Sequence, residues 1–313
     1  MRKFVNIRLL LFTLFLVFSL FSCKYDVSEG EYITFKDSLG KTVALDERPT
    51  HVAVLFSSFA DMWLTAGGEI AITVGESVER GFASEEVLLV DTGAGKHISA
   101  ELLISYKPDF VIYSADIDGQ LEVAKTLDAA GISAAGFRVD DFLDYLSVFD
   151  IMTDITGNKQ AYADYGIDIE KKIASLISTI EGKEEKKILF IRASTSEKST
   201  KAKVASQHFV ASMLKELGSY NIAEEAPILL DGLSIEAVIE QNPDIIFISA
   251  MGDEGAVREY MDSVLKSTAW QSLDAVKNGR YYYLSKDIFQ FKPNARWYEA
   301  YHTLAEILYG KEF

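Results

Sequence analysis

The chain has 313 residues, 49% of them apolar and 25% charged, with 31 basic against 47 acidic side chains and a formal net charge of −16. That length accommodates two domains of ordinary size. So acidic a surface excludes nucleic acid, whose phosphates need a basic footprint, and it excludes electrostatic adhesion to anionic lipid.

In chain order, Arg2, Lys3 and Arg8 precede an apolar run from Leu9 to Ser22. A basic start and a run short of the ~20 residues of a spanning helix describe a secretory signal over residues 1–22. Leu20-Phe21-Ser22-Cys23 resembles a bacterial lipobox, and Cys23 is the only cysteine in the sequence. Lipidation of Cys23 is therefore expected, and no internal disulfide or thiolate metal site is available. An uncleaved signal anchor is the competing reading. Residues 23–31 read as a polar tether.

From Ile33 the sequence alternates around Ser38-Leu39-Gly40-Lys41 and predicts a β-hairpin to Leu45. Arg48-Pro49 breaks it before a buried strand, His51 to Leu55. Ser57-Ser58 opens a helix over Phe59–Ala66, closed by Gly67-Gly68, and Ile70–Val74 is a second strand. Leu121–Ala130 is a helix stopped by Gly131, Ile132–Val139 a strand, and Phe142–Ile155 a helix capped by Asp140-Asp141. Lys159–Ile180 reads as a long helix, polar on most faces, as suits an element bridging two bodies. Alternation resumes with strand Ile188–Ile191, helix Phe209–Leu217, strand Tyr281–Leu284 and a final helix, Ala295–Tyr309. This βαβα order predicts two doubly wound α/β lobes. The expected division is an N-terminal lobe over 32–157, an inter-lobe helix over 158–182 and a C-terminal lobe over 183–313.

One sentence of the sequence is spoken twice. His97 to Ser114 returns as Gly232 to Ser249 with every residue displaced by 135 positions and no gap, Glu101 falling on Glu236 and Pro108-Asp109 on Pro243-Asp244. Each copy reads as a Ser cap, a short helix with Glu in its first turn, a Pro-Asp break and a buried strand. Two lobes that each present one glutamate at an equivalent place point to a partner gripping both.

Enzyme motifs fail. Gly93-Ala94-Gly95-Lys96-His97 has the look of a phosphate loop, but Val90 and His97 stand where glycine and a hydroxyl are needed. No G-x-S-x-G elbow occurs. His51, His97, His208 and His302 share no ligand spacing and read as surface or turn residues.

From Ile33 to Tyr309 the chain resembles a substrate-binding lipoprotein of the iron-complex/cobalamin class serving ABC importers. The resemblance rests on Asp37-Ser38-Leu39-Gly40-Lys41-Thr42-Val43, the Arg48-Pro49 step, the doubled Glu…Pro-Asp unit, Trp270-Gln271-Ser272-Leu273-Asp274 through Arg280-Tyr281-Tyr282, and the terminal helix. It implies two lobes joined by one rigid helix, a ligand in the cleft between them, and docking on the permease through Glu101 and Glu236. Glu76, Glu79 and Glu254 are weaker candidates for that role.

Ligand residues are expected at the carboxyl ends of the strands. These are Ser57, Ser58, Phe59, Arg80, Phe82 and Arg138 from the first lobe, and Arg192, Ser194, Met251, Phe289, Phe291, Lys292, Arg296 and Trp297 from the second. For Phe59 and Trp297 the competing assignment is core packing, and for Arg80, Arg138 and Arg192 a solvated surface. An Arg/aromatic mixture suits an anionic, conjugated ligand. The expected function is capture of a ferric siderophore or related iron complex and its delivery to an ABC permease and its ATPase. The protein would be an exported, lipid-anchored monomer with no catalytic residue, resident metal or cofactor, and its cleft would close modestly. Haem and cobalamin are alternative ligands. A bilobed chelatase-like enzyme is an alternative of another class, and it would need a His/Glu pair converging in the cleft.

Overall fold

The computed structural model of the protein describes residues 32–91 and 97–311. Cys23, the signal and tether, and Gly93 to Lys96 lie outside the described residues. No helix among those described is long and apolar enough to cross a membrane.

The first lobe opens on an antiparallel hairpin, β1 (Ile33–Lys36) and β2 (Thr42–Leu45). Asp37 fastens it: Oδ1 accepts from Leu39 N and Lys41 N, while Oδ2 accepts from Gly136 N at 3.0 Å on the neighbouring sheet. That sheet is wholly parallel and consists of β3 (Val52–Val54), β4 (Ile72–Thr73), β5 (Leu88–Leu89), β6 (Phe110–Ser114) and β7 (Ala134–Phe137), in the order β5-β4-β3-β6-β7. Helices α1 (Ser57–Thr65), α2 (Gly75–Glu79), α3 (Ala100–Ser105), α4 (Asp118–Ala129) and α5 (Phe142–Thr156) alternate with the strands. β6 is buried along its whole length, as a strand covered on both faces must be.

A bridge follows over residues 159–180, with a π turn in its course. It is α6 (Lys159–Tyr162), a π-helical turn over Ala163–Ile167, and α7 (Asp168–Ile180). It is polar on most faces, as expected, but α7 carries one buried stripe, Ile169, Ile173, Leu176 and Ile180, that packs on the terminal helix α14 (Trp297–Tyr309). Four apolar positions spaced three or four apart make that stripe. The π turn loosens the carbonyl ladder, and the hydroxyl of Tyr145 donates to Tyr165 O at 2.9 Å.

The second lobe repeats the plan. Its sheet runs β10 (Ser219–Asn221), β8 (Lys186–Ala193), β11 (Ile245–Ala250), β12 (Tyr281–Leu284), all parallel, and the short β9 (Lys201–Ala202) adds antiparallel to β8. Helices α8 (Phe209–Glu216), α9 (Ile228–Asp231), α10 (Ile235–Gln241), α11 (Glu254–Leu265), α12 (Asp274–Lys277) and α13 (Lys286–Phe289) connect them.

The doubled sequence is a doubled structure. Ser99 caps α3 by accepting from Leu102 N, and Ser234 caps α10 by accepting from Ala237 N. Lys107 and Asn242 both take a left-handed φ, 52° and 44°, at the step into proline. Asp109 then accepts from the backbone N–H of Thr50 and His51, and Asp244 from that of Lys187. Each Pro-Asp therefore staples its strand to the start of the sheet's central neighbour.

One apolar cluster runs through both lobes, from Phe110 and Phe137 through Tyr145 and Phe149 to Phe190, Phe247, Trp297 and Tyr301. Trp297 sits at the junction, with ring centroids 5.9 Å from Phe142 and 5.7 Å from Phe209. A core continuous across the junction, close-packed as cores are, resists wide hinge motion.

Candidate functional site

The sharp turn after β3 puts Ser57 and Ser58 in the first turn of α1, both fully buried. Arg80 follows α2 and reaches back to them: its Nη1 donates to Ser57 Oγ at 2.8 Å and Ser58 Oγ at 3.3 Å. Ser57 in turn donates to Glu76 Oε2 at 2.6 Å. The guanidinium lies 4.7 Å from the ring centroid of Phe82 and 3.8 Å from that of Phe291. Phe291 belongs to the second lobe, so Arg80 is a cation stacked across the lobe boundary. Burial lowers its pKa, while Asp61, Glu76 and Asp287 oppose that shift.

A second group of cations stands at the carboxyl end of β8 and in the segment after α13. Arg192 is partly buried, and burial alone lowers its pKa. Its Nε has no partner, and no carboxylate stands within ion-pair distance of it among the described residues. With the Gln290 amide turned to donate to Ala250 O, the Gln290 oxygen accepts from Arg192 Nη2 at 3.0 Å. Lys292 Nζ lies 5.1 Å from the Phe209 ring centroid. Burial holds the Lys292 pKa down against the attraction of Asp140, Asp116 and Asp144.

His208 stands among these cations. Burial first, then Arg192, Lys292 and Lys203, depress its pKa to about 3. Its Nδ1 accepts from Val210 N at 3.2 Å as the cap of α8, so the neutral ring carries its proton on Nε2. The sequence reading as a surface or turn residue holds only for the turn, which His208 directly follows at intermediate burial. The signal for its place is positional: it stands immediately before the apolar start of a helix, where a capping acceptor is needed. Among the described residues its charged neighbours are the cations Arg192, Lys292 and Lys203.

Other expected ligand residues fall elsewhere. Phe59 is 2% exposed and packs against Phe137 in the core, since α1 turns that side inward. Phe289 and Trp297 are core residues too. Arg138 is taken by Asp116, and Arg296 by a bidentate pair with Glu299 at 2.6 and 2.7 Å. Arg296 faces a different concavity, about 680 Å³, along the outer edge of β12. There Tyr283 already donates to Asp262 and stacks on Arg258, so the polar groups satisfy one another. Met251 is half-buried just past β11, held by its N–H to Ala193 O. Ser194 sits in a turn pinned by Thr200. Of the expected ligand residues, Arg80, Phe82 and Phe291 meet in one stack, with Ser57 and Ser58 fully buried behind the guanidinium, and Arg192 and Lys292 stand close to His208, with Gln290 against Arg192.

Below the cleft the lobes are clipped together. Asn294, at φ 50°, donates through Nδ2 to Ser58 O at 2.7 Å and to Asp61 Oδ2 at 2.8 Å.

Glu101 and Glu236 are both exposed. Ser99 N donates to Val90 O, beyond the carboxyl end of β5, which fixes Glu101 at that end of the first sheet. Leu233 and Ile235, flanking the cap of Glu236's helix, share a groove with Glu197 and Thr200, which follow the carboxyl end of β8. Of the weaker candidates, Glu76 is engaged by Ser57, and Glu254 accepts from Lys286 N.

No curated protein sequence matches the chain. Among solved structures, an ABC transporter substrate-binding protein from Listeria monocytogenes is 16% identical with a TM-score of 0.67, over 84% of this chain and 99% of that one. The periplasmic vitamin B12 binding protein BtuF of Vibrio cholerae is 19% identical with a TM-score of 0.66, over 83% and 97%. IsdE of S. aureus, solved with heme, is 14% identical with a TM-score of 0.65, over 82% and 98%. At such identities the likeness is one of fold, two α/β lobes on parallel sheets. The family profile described as periplasmic binding protein matches residues 52–288, from the first strand of the parallel sheet to α13, and the chain belongs to that family.

Proposed function

We propose that the protein captures an anionic iron complex, a ferric siderophore or a relative of one, in the cleft and delivers it to an ABC permease. Family membership supports a binding protein that acts outside the cytoplasmic membrane and partners a permease and its ATPase. The observation that carries the choice of ligand is the cationic wall. Among the described residues Arg192 has no carboxylate partner, Lys292 lies close enough for the two charges to repel, and Arg80 stacks on Phe291, the residue before Lys292. A partly desolvated arginine without a carboxylate partner is costly, and an anionic ligand offsets that cost.

His208 argues against an iron-ligating role for its own imidazole. A ligating imidazole offers the metal a free lone pair, whereas here the one on Nδ1 already accepts from Val210 N and Nε2 carries the proton. Among the described residues no three His, Cys, Asp or Glu side chains converge on a metal position. Iron would therefore arrive already chelated. Glu101 and Glu236 are the proposed docking pair, and Cys23 the proposed lipid anchor.

Quenching of the intrinsic tryptophan fluorescence tests the ligand class. Ferric catecholates or hydroxamates should quench saturably at micromolar or lower concentration. Saturable quenching by cobalamin alone would overturn the reading.

A further inference from the structure

The second lobe carries an apolar groove that the ligand cleft does not use. Leu233 and Ile235, flanking Ser234 at the start of α10, form one wall, and Tyr260 and Val264 of α11 form the other. Trp270 closes the floor of a hollow of about 370 Å³. These wall residues are only partly buried, leaning on the lobe's own apolar cluster. Glu197 stands at the rim, Glu236 is the residue after Ile235, and no Lys or Arg lines the hollow.

The doubled sequence shows where the two lobes part. The first copy has Ile98 and Ala100 where the second has Leu233 and Ile235, so a large side chain of this wall has only a methyl as its counterpart in the first lobe.

Resting on the docking role of Glu236, we propose that this groove is the apolar half of the permease dock on the second lobe. Its occupant is an extracytoplasmic permease segment that sets a basic side chain against Glu236 and a large apolar side chain into the hollow. Two features select that occupant. The groove is continuous with the glutamate through Ile235, and the carboxylates of Glu236 and Glu197 are complementary to a basic segment while its lining is apolar. An apolar anchor in a pocket beside a charged pair is the arrangement that concentrates binding energy at protein interfaces.

The test compares Val264→Trp, which fills the hollow, Ser263→Trp at its exposed rim, and Glu236→Arg, each as full-length protein. Binding to the cognate permease in lipid nanodiscs is measured beside ligand affinity and thermal stability. The proposal expects at least ~10-fold weaker permease binding for both groove variants, with ligand affinity unchanged. Ser263→Trp decides the matter if Val264→Trp melts early. Groove variants that bind normally while Glu236→Arg does not would overturn the groove and leave the glutamate reading standing. Weakened groove variants beside a normal Glu236→Arg would support the groove and overturn the charge pairing. Self-association of the wild type in sedimentation, lost in Ser263→Trp, would assign the hollow to a second copy and overturn the proposal.

Discussion

Replacing His208 with Asn separates a capping role from a titrating one. Asn keeps a short acceptor for the Val210 N–H, which is what the cap of α8 requires. The imidazole, by contrast, is held neutral with a pKa depressed to about 3 by burial and by Arg192, Lys292 and Lys203. In the unfolded chain the ring takes up a proton below about 6.5. Unfolded chains therefore bind one more proton than folded ones between those values, and this contribution to stability is lost as pH falls from about 6.5 toward 3. One proton is worth about 1.4 kcal/mol per pH unit, about 2 kcal/mol at pH ~5, reduced to about 1–2 kcal/mol because the ring is partly exposed to screening solvent. Urea unfolding at about pH 7.5 and about pH 5 should show the wild type losing that much more stability than His208→Asn. Equal losses in the two proteins would refute the placement of His208 among cations. A bound anion should shrink the difference, since it offsets the charges that repel the ring's proton.

Three further outcomes follow from named contacts. Reversing Glu101 and Glu236 to Arg together should abolish uptake while ligand affinity stays intact, and transport at the wild-type rate would discredit the docking pair. Cys23→Ala should move the protein from the membrane fraction to the soluble one, and unchanged partition would contradict lipidation. Asn294→Gly keeps the left-handed backbone but loses the donations to Ser58 O and Asp61, one of them to a carboxylate. It should cost about 2–4 kcal/mol in chemical denaturation, and a loss below about 1 kcal/mol would show that the clip does not hold the lobes.

The alternation of strands and helices was legible because parallel sheets buried on both faces write continuous apolar runs, as in Phe110–Ser114 and Ile245–Ala250. The repeat was legible to the residue, since Ser caps, Pro-Asp steps and left-handed turns are local events. Bridge packing was not: the stripe of Ile169, Ile173, Leu176 and Ile180 gains its meaning only from α14, more than a hundred residues away. The cleft was half legible. Strand ends mark which loops line it, yet whether an arginine there is available depends on who pairs with it. Asp116 claims Arg138 and Glu299 claims Arg296, while Arg192 is left without a carboxylate, and nothing in the spacing of those residues distinguishes the three. His208 was missed because its environment is assembled from β8, α8 and the segment after α13.

Calorimetric titration of wild type and Arg192→Gln with a ferric siderophore, and of both with cobalamin, bears most directly on the central claim. The account predicts that the wild type binds the ferric complex and that Arg192→Gln weakens it by about 1.5–3 kcal/mol, roughly 10- to 100-fold, as expected for a lost bond to a charged group. Affinity for the ferric complex unaffected by the substitution, or tight binding of cobalamin in its place, would contradict it.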